Sequence, residues 1–201
     1  MVPKGKYLLK KNKIKSKKVT KKPSEYDLEE QIRQKPNRKI LGVYRFHLRT
    51  YSLGSSKRKP KKNDKKFRKF LREKVGEPPV ILDSSLVSKG AKNMEQLLFN
   101  KGYFNAKVTY DIDIAKWRRK AKVTYNIFSG DFFKISKKPV LANEFLVDSI
   151  IDAHKDKSFL QKGEQIDFDL IGKERSRISL LLQNHGFYYF GREFIEFDLD
   201  T

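Results

Sequence analysis

The chain has no cysteine, which excludes disulfides and thiolate metal ligands and leaves its redox compartment open. It has three histidines, His47, His154 and His185, far apart and without a partner at metal-ligand spacing. Gly5, Gly54 and Gly130 stand singly, so there is no glycine-rich phosphate loop. No order or spacing of Ser, His and Asp argues for a nucleophilic triad. The chain is therefore read as a non-enzyme that uses no metal and no cofactor. No run of about 18 apolar residues exists, so no membrane-spanning helix is expected. Met1-Val2-Pro3-Lys4 is not followed by the apolar stretch of a signal peptide.

Charge, by contrast, is abundant and uneven. Of 201 residues, 46 are Lys or Arg and 24 are Asp or Glu, a net +22. Residues 1–75 hold 27 of the former against 6 of the latter, a balance of +21, so the basic character belongs to the first third. Hydrophobic content of 38% still allows one or two domains with a real core.

The stretch Gln96–Ile127 organises the rest. A helix over Ser85–Lys101 presents Val87, Ala91, Met94 and Leu98 on one face. Gly102 sits where a helix C-cap needs a left-handed residue. Then Phe104, Ala106, Val108, Tyr110, Ile112 and Ile114 alternate with polar residues, and after a polar turn so do Ala121, Val123, Tyr125 and Ile127. Period two over this length predicts an antiparallel hairpin with one apolar face. The unit recurs: Leu97-Leu98-x-Asn100-x-Gly102-Tyr103-Phe104 matches Leu181-Leu182-x-Asn184-x-Gly186-Phe187-Tyr188, and Gly130-Asp-Phe-Phe-Lys134 resembles Gly5-Lys-Tyr-Leu-Leu9. Two matches in the same order predict tandem copies of one small domain.

Elsewhere, Tyr7–Ile14 reads as a strand, and Ser24 caps a helix that carries Leu28 and Ile32 and stops at Pro36. Ile40–Tyr51 fits either period, and its length favours a helix. Gly54–Asn63 is a basic, low-complexity loop. Phe67, Phe70, Leu71 and Val75 mark a short amphipathic helix, and Pro79–Leu82 is an extended piece. The second copy reads as a strand over Phe132–Val140, a helix capped by Asn143 with Leu146, Ile150 and Ala153 inward, a helix over Asp169–His185, and an aromatic strand over Phe187–Leu199. That copy is one strand short.

Two features can bind something. One is the basic patch Lys57, Arg58, Lys59, Lys61, Lys62, Lys65 and Lys66, suited to phosphates of nucleic acid or of anionic lipid, or else simply solvated. The other is the edge strand of the hairpin, with Asn105, Lys107, Val108, Thr109, Tyr110 and Asp111 as candidate contacts for an extended client segment. Against that reading, Lys107, Asp111 and Asp113 could guard the edge.

The strand-helix-helix-strand-strand order resembles the polypeptide-transport-associated (POTRA) domain, with Gly102-Tyr-Phe entering the hairpin and Tyr125-Asn-Ile-x-x-Gly130 leaving it. The likeness is to the BamA/TamA-type outer-membrane assembly factors. Tyr7–Ile14, Gln34-Lys-Pro-Asn-Arg-Lys-Ile-Leu-Gly42 and Gly76-Glu-Pro-Pro79 resemble the lipoprotein form, TamL. The resemblance implies an α+β fold of tandem β-α-α-β-β domains, each a small mixed three-stranded sheet on two helices. Residues 1–130 would form the first, with a basic helical insertion at about 36–84, and 131–201 the second, truncated. Tyr7–Lys15 would be the first strand, Ser24–Gln34 the first helix, and Ala121–Phe128 a central strand, which leaves Tyr103–Ile114 at an edge.

The implied role is a periplasmic binding module at the outer membrane, without catalysis. Its partners would be unfolded β-barrel proteins, other assembly subunits and an anionic membrane surface. A barrel needs at least about eight alternating strands, and these are not in the chain, so attachment would rest on a barrel outside it. The alternative from another class is a basic nucleic-acid-binding protein, for which charge and aromatics argue. The concentration of charge in one third and the absence of an aromatic RNA-binding strand signature argue against it.

Overall fold

The computed structural model describes residues 2–17, 24–42, 44–56, 64–136, 142 and 144–197. The described residues gather into two compact units. The first holds 2–17, 24–94 and 107–128, and the second 95–106 and 129–197.

The first unit is built on three strands, β1 (Leu8–Lys17), β2 (Lys107–Ala115) and β3 (Lys120–Phe128), in the order β1-β3-β2. β1 runs parallel to β3, and β2 pairs with it antiparallel. The expected mixed α+β architecture with a central last strand is therefore present. The alternation of β3 explains its place, because Ala121, Val123, Tyr125 and Ile127 are all fully buried. In register with them lie Leu9, Asn12 and Ile14 of β1, and Ile114, Ile112, Tyr110 and Val108 of β2. Helix α4 (Ser84–Asn100) covers this face with Val87, Ala91 and Met94, buried at helical spacing as expected. Burying Val87 and Met94 contributes about 1.5–3 kcal/mol each, and the Ala91 methyl about 0.8 kcal/mol. Gly90 lets the helix approach: a Cβ there would sit 3.2 Å from the Tyr125 hydroxyl.

Between β1 and α4 the chain forms α1 (Glu25–Glu30), α2 (Phe46–Gly54) and α3 (Asp64–Phe70), the last continuing as a π-turn over Leu71–Val75. The Asp27 N–H donates to Ser24 Oγ, the predicted cap. α1 ends at Glu30, short of Gln34, because Gln31 and Ile32 close a tighter turn onto Leu28 and Glu29. Ile32 is still buried. Gln34 is then free to donate to the Ile81 carbonyl and accept from the Asp83 N–H. Asn37 likewise donates to Pro78 O (2.8 Å) and accepts from Val80 N (3.1 Å). The 34–42 and 76–83 stretches are thus clasped together. Residues 80–82 pair with the start of β1 through Leu9 N to Val80 O and Leu82 N to Tyr7 O.

Two expectations fail here. Ile40–Tyr44 is not helical: Ile40 and Tyr44 exchange both main-chain hydrogen bonds across the left-handed residues Leu41 and Gly42, and the helix begins at Phe46. Phe67 and Phe70 face solvent, so α3 is not packed through the predicted face. Contact to α2 comes mainly through the π-turn, whose Val75 carbonyl accepts from His47 Nδ1 at 2.8 Å, and through Arg68, which donates to Ser56 O.

In the second unit, α4 ends in a Schellman cap. Tyr103 N–H bonds Leu98 O and Gly102 N–H bonds Phe99 O, with Gly102 at φ +79°. The same cap closes α6 (Phe168–Asn184): Phe187 N–H bonds Leu182 O, Gly186 N–H bonds Gln183 O, and Gly186 has φ +97°. The repeated Leu-Leu-x-Asn-x-Gly-aromatic signature is therefore one capping geometry used twice. Beyond it the copies diverge. The described part of Phe132–Val140 is no strand: it makes an isolated Lys134–Gln165 bridge, with Ile135 N–H donating to Glu164 O and Ile166 N–H to Phe133 O, and residues 137–141 lie outside the described residues.

Phe187–Leu199 is not a strand over its described residues, which form turns and a 3-10 turn at Arg192–Phe194. Its carbonyls are claimed by α6: Ser179 and Gln183 donate to Phe190 O, and Arg175 donates to Arg192 O. In α5 (Phe145–Ala153) the inward residues are Val147, Ile150 and Ile151, which pack with Ile178, Leu182 and Ile195; Leu146 and Ala153 are exposed, contrary to expectation. The expected cap Asn143 lies outside the described residues, and Glu144 at the cap position makes no side-chain capping bond.

Candidate binding edge

β2 has β3 on one side, and no described strand lies on the other. Burial falls off along its apolar row. Val108 is 6% exposed, whereas Tyr110 and Ile114 are 37% and 38% exposed and Ile112 is half-buried. The helix-side face of this strand is thus a half-open apolar strip beside a row of edge main-chain groups. The predicted guards lean the other way: Asp111 accepts from Asn126 Nδ2 (2.7 Å) and Asp113 pairs with Lys122 (3.4 Å), both on the central strand. Lys107 and Thr109 remain exposed along the strand. Asn105 stands before it, in the turn after the Gly102 cap.

The opposite edge is built differently. β1 alternates exposed Lys11, Lys13, Lys15 and Lys17 with residues on the core face, and residues 80–82 cover its beginning. Lysines at a sheet edge oppose strand addition. Tyr125, under Tyr110, has its hydroxyl buried without a hydrogen-bond partner. Burial, with a smaller contribution from Tyr110, pushes its pKa up to about 12, so it stays neutral.

The predicted basic patch is only partly in view. Lys65 and Lys66 are exposed in the first turn of α3, and Lys57, Arg58, Lys59, Lys61 and Lys62 lie outside the described residues. Sequence reasoning missed two groupings in the second unit. The rings of His154 and His185 meet edge to face at 5.5 Å, each Nδ1–H donating to the carbonyl four residues earlier. Glu174 is fully buried and accepts from Arg177 (2.6 and 2.9 Å), Ser158 Oγ and Phe159 N–H. Helical i,i+3 spacing hinted at the Glu174–Arg177 pair but not at its burial. Among the described residues no group of three or more His, Cys, Asp or Glu is placed to hold a metal, and no helix is long and apolar enough to cross a membrane.

No curated protein matches this chain. Among similar solved structures is the crystal structure of Haemophilus influenzae BamA POTRA3-5, 13% identical, with a TM-score of 0.34 over 90% of this chain. The chain spans about half, 51%, of the length of that structure. The family described as POTRA, surface antigen variable number repeat, matches residues 9–130. That match takes in β1, every helix to α4 and the whole β2–β3 hairpin, which is more than half of the sequence, and the chain belongs to the POTRA family.

Proposed function

We propose that this chain is a binding module of an outer-membrane protein assembly or translocation factor, at the periplasmic face of that membrane. Along the side of β2 away from β3 it holds extended segments of unfolded β-barrel proteins or of partner assembly subunits. In the full protein the attachment is a membrane barrel, and the finer kinship is with the lipoprotein form TamL, on the three N-terminal stretches named above. The observation that carries the reading is the contrast between the two sheet edges. β1 is lined with lysines and partly covered, whereas β2 offers main-chain groups beside the half-open strip Tyr110, Ile112 and Ile114. An added strand gains hydrogen bonds from any sequence and pockets for alternate apolar side chains. A single short strand buries little area, so affinity per site is low.

The test is binding of a peptide with alternating apolar and polar residues, at two salt concentrations. Along a strand, successive N–H groups face opposite sides. Of Thr109→Pro and Tyr110→Pro, one therefore spares the β3 ladder while removing a donor from the open side. The expected result is salt-resistant peptide binding, lost in the variant that still folds. Unchanged binding in that variant sinks the edge reading. Tight, salt-sensitive binding of an oligonucleotide with no peptide binding would assign the function to the charge instead.

A further inference from the structure

The tip of the β2–β3 hairpin reads Lys116-Trp-Arg-Arg-Lys120 and takes no part in the edge described above. Trp117 is the only tryptophan in the chain and is 79% exposed. The Arg118 guanidinium lies 4.0 Å from its ring centroid, and Lys116, Arg118 and Arg119 are exposed. The tip is also held in place. Arg119 N–H bonds Lys116 O (3.2 Å), Leu8 N–H bonds Arg119 O (2.9 Å), and Arg119 adopts a left-handed φ of +49°.

We propose that this tip is a membrane-surface contact, with Trp117 seated in the headgroup layer of an anionic bilayer and Lys116, Arg118, Arg119 and Lys120 against its phosphates. An indole suits that depth because one end is apolar and the other donates a hydrogen bond. Clustered cations supply the attraction to anionic lipid. The positive field extends onto the neighbouring strand: the Lys10 ammonium is lowered, first by Lys120, then by burial, Lys122, Arg45 and Arg118. A polynucleotide fits less well. The outward face of the sheet mixes Lys11, Lys13 and Lys122 with Asp111 and Asp113, and its exposed aromatic, Phe128, lies at the end of β3 away from the tip, so it offers no row of rings of the kind single strands stack on. The inference stands independently of strand addition at β2.

Because Trp117 is unique, intrinsic fluorescence of the whole chain reports on the tip directly. The chain is titrated with vesicles of phosphatidylcholine containing phosphatidylglycerol, and with phosphatidylcholine alone. The expected result is a blue shift, and quenching by brominated lipid, with the anionic vesicles only. Replacing Arg118→Gln and Arg119→Gln together should lower partition about twenty-five-fold, at roughly fivefold per cation removed. Lys89→Gln with Lys92→Gln, on the exposed side of α4, should change nothing. Trp117→Ala, followed by co-sedimentation, should weaken binding to the anionic vesicles, and decides the matter should the double variant not fold. The proposal is overturned by any of four results: no shift with anionic vesicles; an equal shift with neutral ones; an equal loss in the Lys89/Lys92 variant; or a shift produced by a duplex oligonucleotide when vesicles produce none.

Discussion

Replacing Gly186 by alanine separates two costs that Gly102 combines. Both glycines close a helix with the same pair of Schellman hydrogen bonds, both have a strongly positive φ, and both lie in the second unit. An L-residue forced into the left-handed region costs about 1–2 kcal/mol. At Gly186 that is the whole cost, because a Cβ would meet nothing within 4 Å. At Gly102 the Cβ would sit 2.5 Å from the Ile166 carbonyl oxygen, a main-chain atom fixed by its neighbour's hydrogen bond from Ile166 N to Phe133 O. Overpacking of this kind adds about 1–3 kcal/mol. Gly186→Ala should therefore destabilise by about 1–2 kcal/mol and Gly102→Ala by about 2–5 kcal/mol. Thermal unfolding followed by circular dichroism resolves them, since a domain of this size moves roughly 4–8 °C per kcal/mol. Equal melting shifts for the two variants would refute the claim that close main-chain approach, rather than the cap alone, requires glycine at 102.

Three further outcomes can be checked by similar means. Burial pushes the Glu174 carboxyl up, but hydrogen bonds from Arg177, Phe159 N–H and Ser158, with the Arg177 charge, outweigh it and hold the group below its ordinary 4.5. Its stabilisation is therefore full above about pH 4.5 and is lost as the pH falls through the lowered folded value. Glu174→Gln should cost about 3–5 kcal/mol at neutral pH and flatten that acid dependence, as seen in urea melts. Tyr125→Phe removes a buried hydroxyl that has no partner, so it should be neutral or stabilise by up to about 1 kcal/mol; a large loss of stability would show that the hydroxyl is in fact satisfied. Asn37→Ala strands the Val80 N–H and the Pro78 carbonyl, and should cost about 2–3 kcal/mol and speed proteolysis near Pro78.

The local features of the first unit could be read from the chain because their signals are periodic. Val87, Ala91 and Met94 at helical spacing, and Ala121 to Ile127 at period two, each name a buried face without knowledge of any neighbour. Gly102 announced its cap because the left-handed region admits little else, and Gly186 stood at the matching place in the repeat. The three-stranded mixed sheet followed from the family likeness rather than from periodicity. What misled was propensity without a partner. Phe187–Leu199 has the composition of a strand, but in its described part the carbonyls of Phe190 and Arg192 find donors on α6, and no described strand lies beside it. Ile40–Tyr44 fits a helical period, yet its two ends exchange main-chain bonds instead.

The candidate site divides in the same way. Sequence alternation supplied the apolar row Val108, Tyr110, Ile112 and Ile114, and read the stretch at 116–120 only as a polar turn. Only the tertiary structure decided that Val108 is covered while Tyr110 and Ile114 stay half open, that Asp111 and Asp113 turn to β3, and that a buried Glu174 meets a half-buried Arg177. The reason is physical: a side chain's period along its own element fixes which way it points, but its exposure depends on what the rest of the chain brings against it.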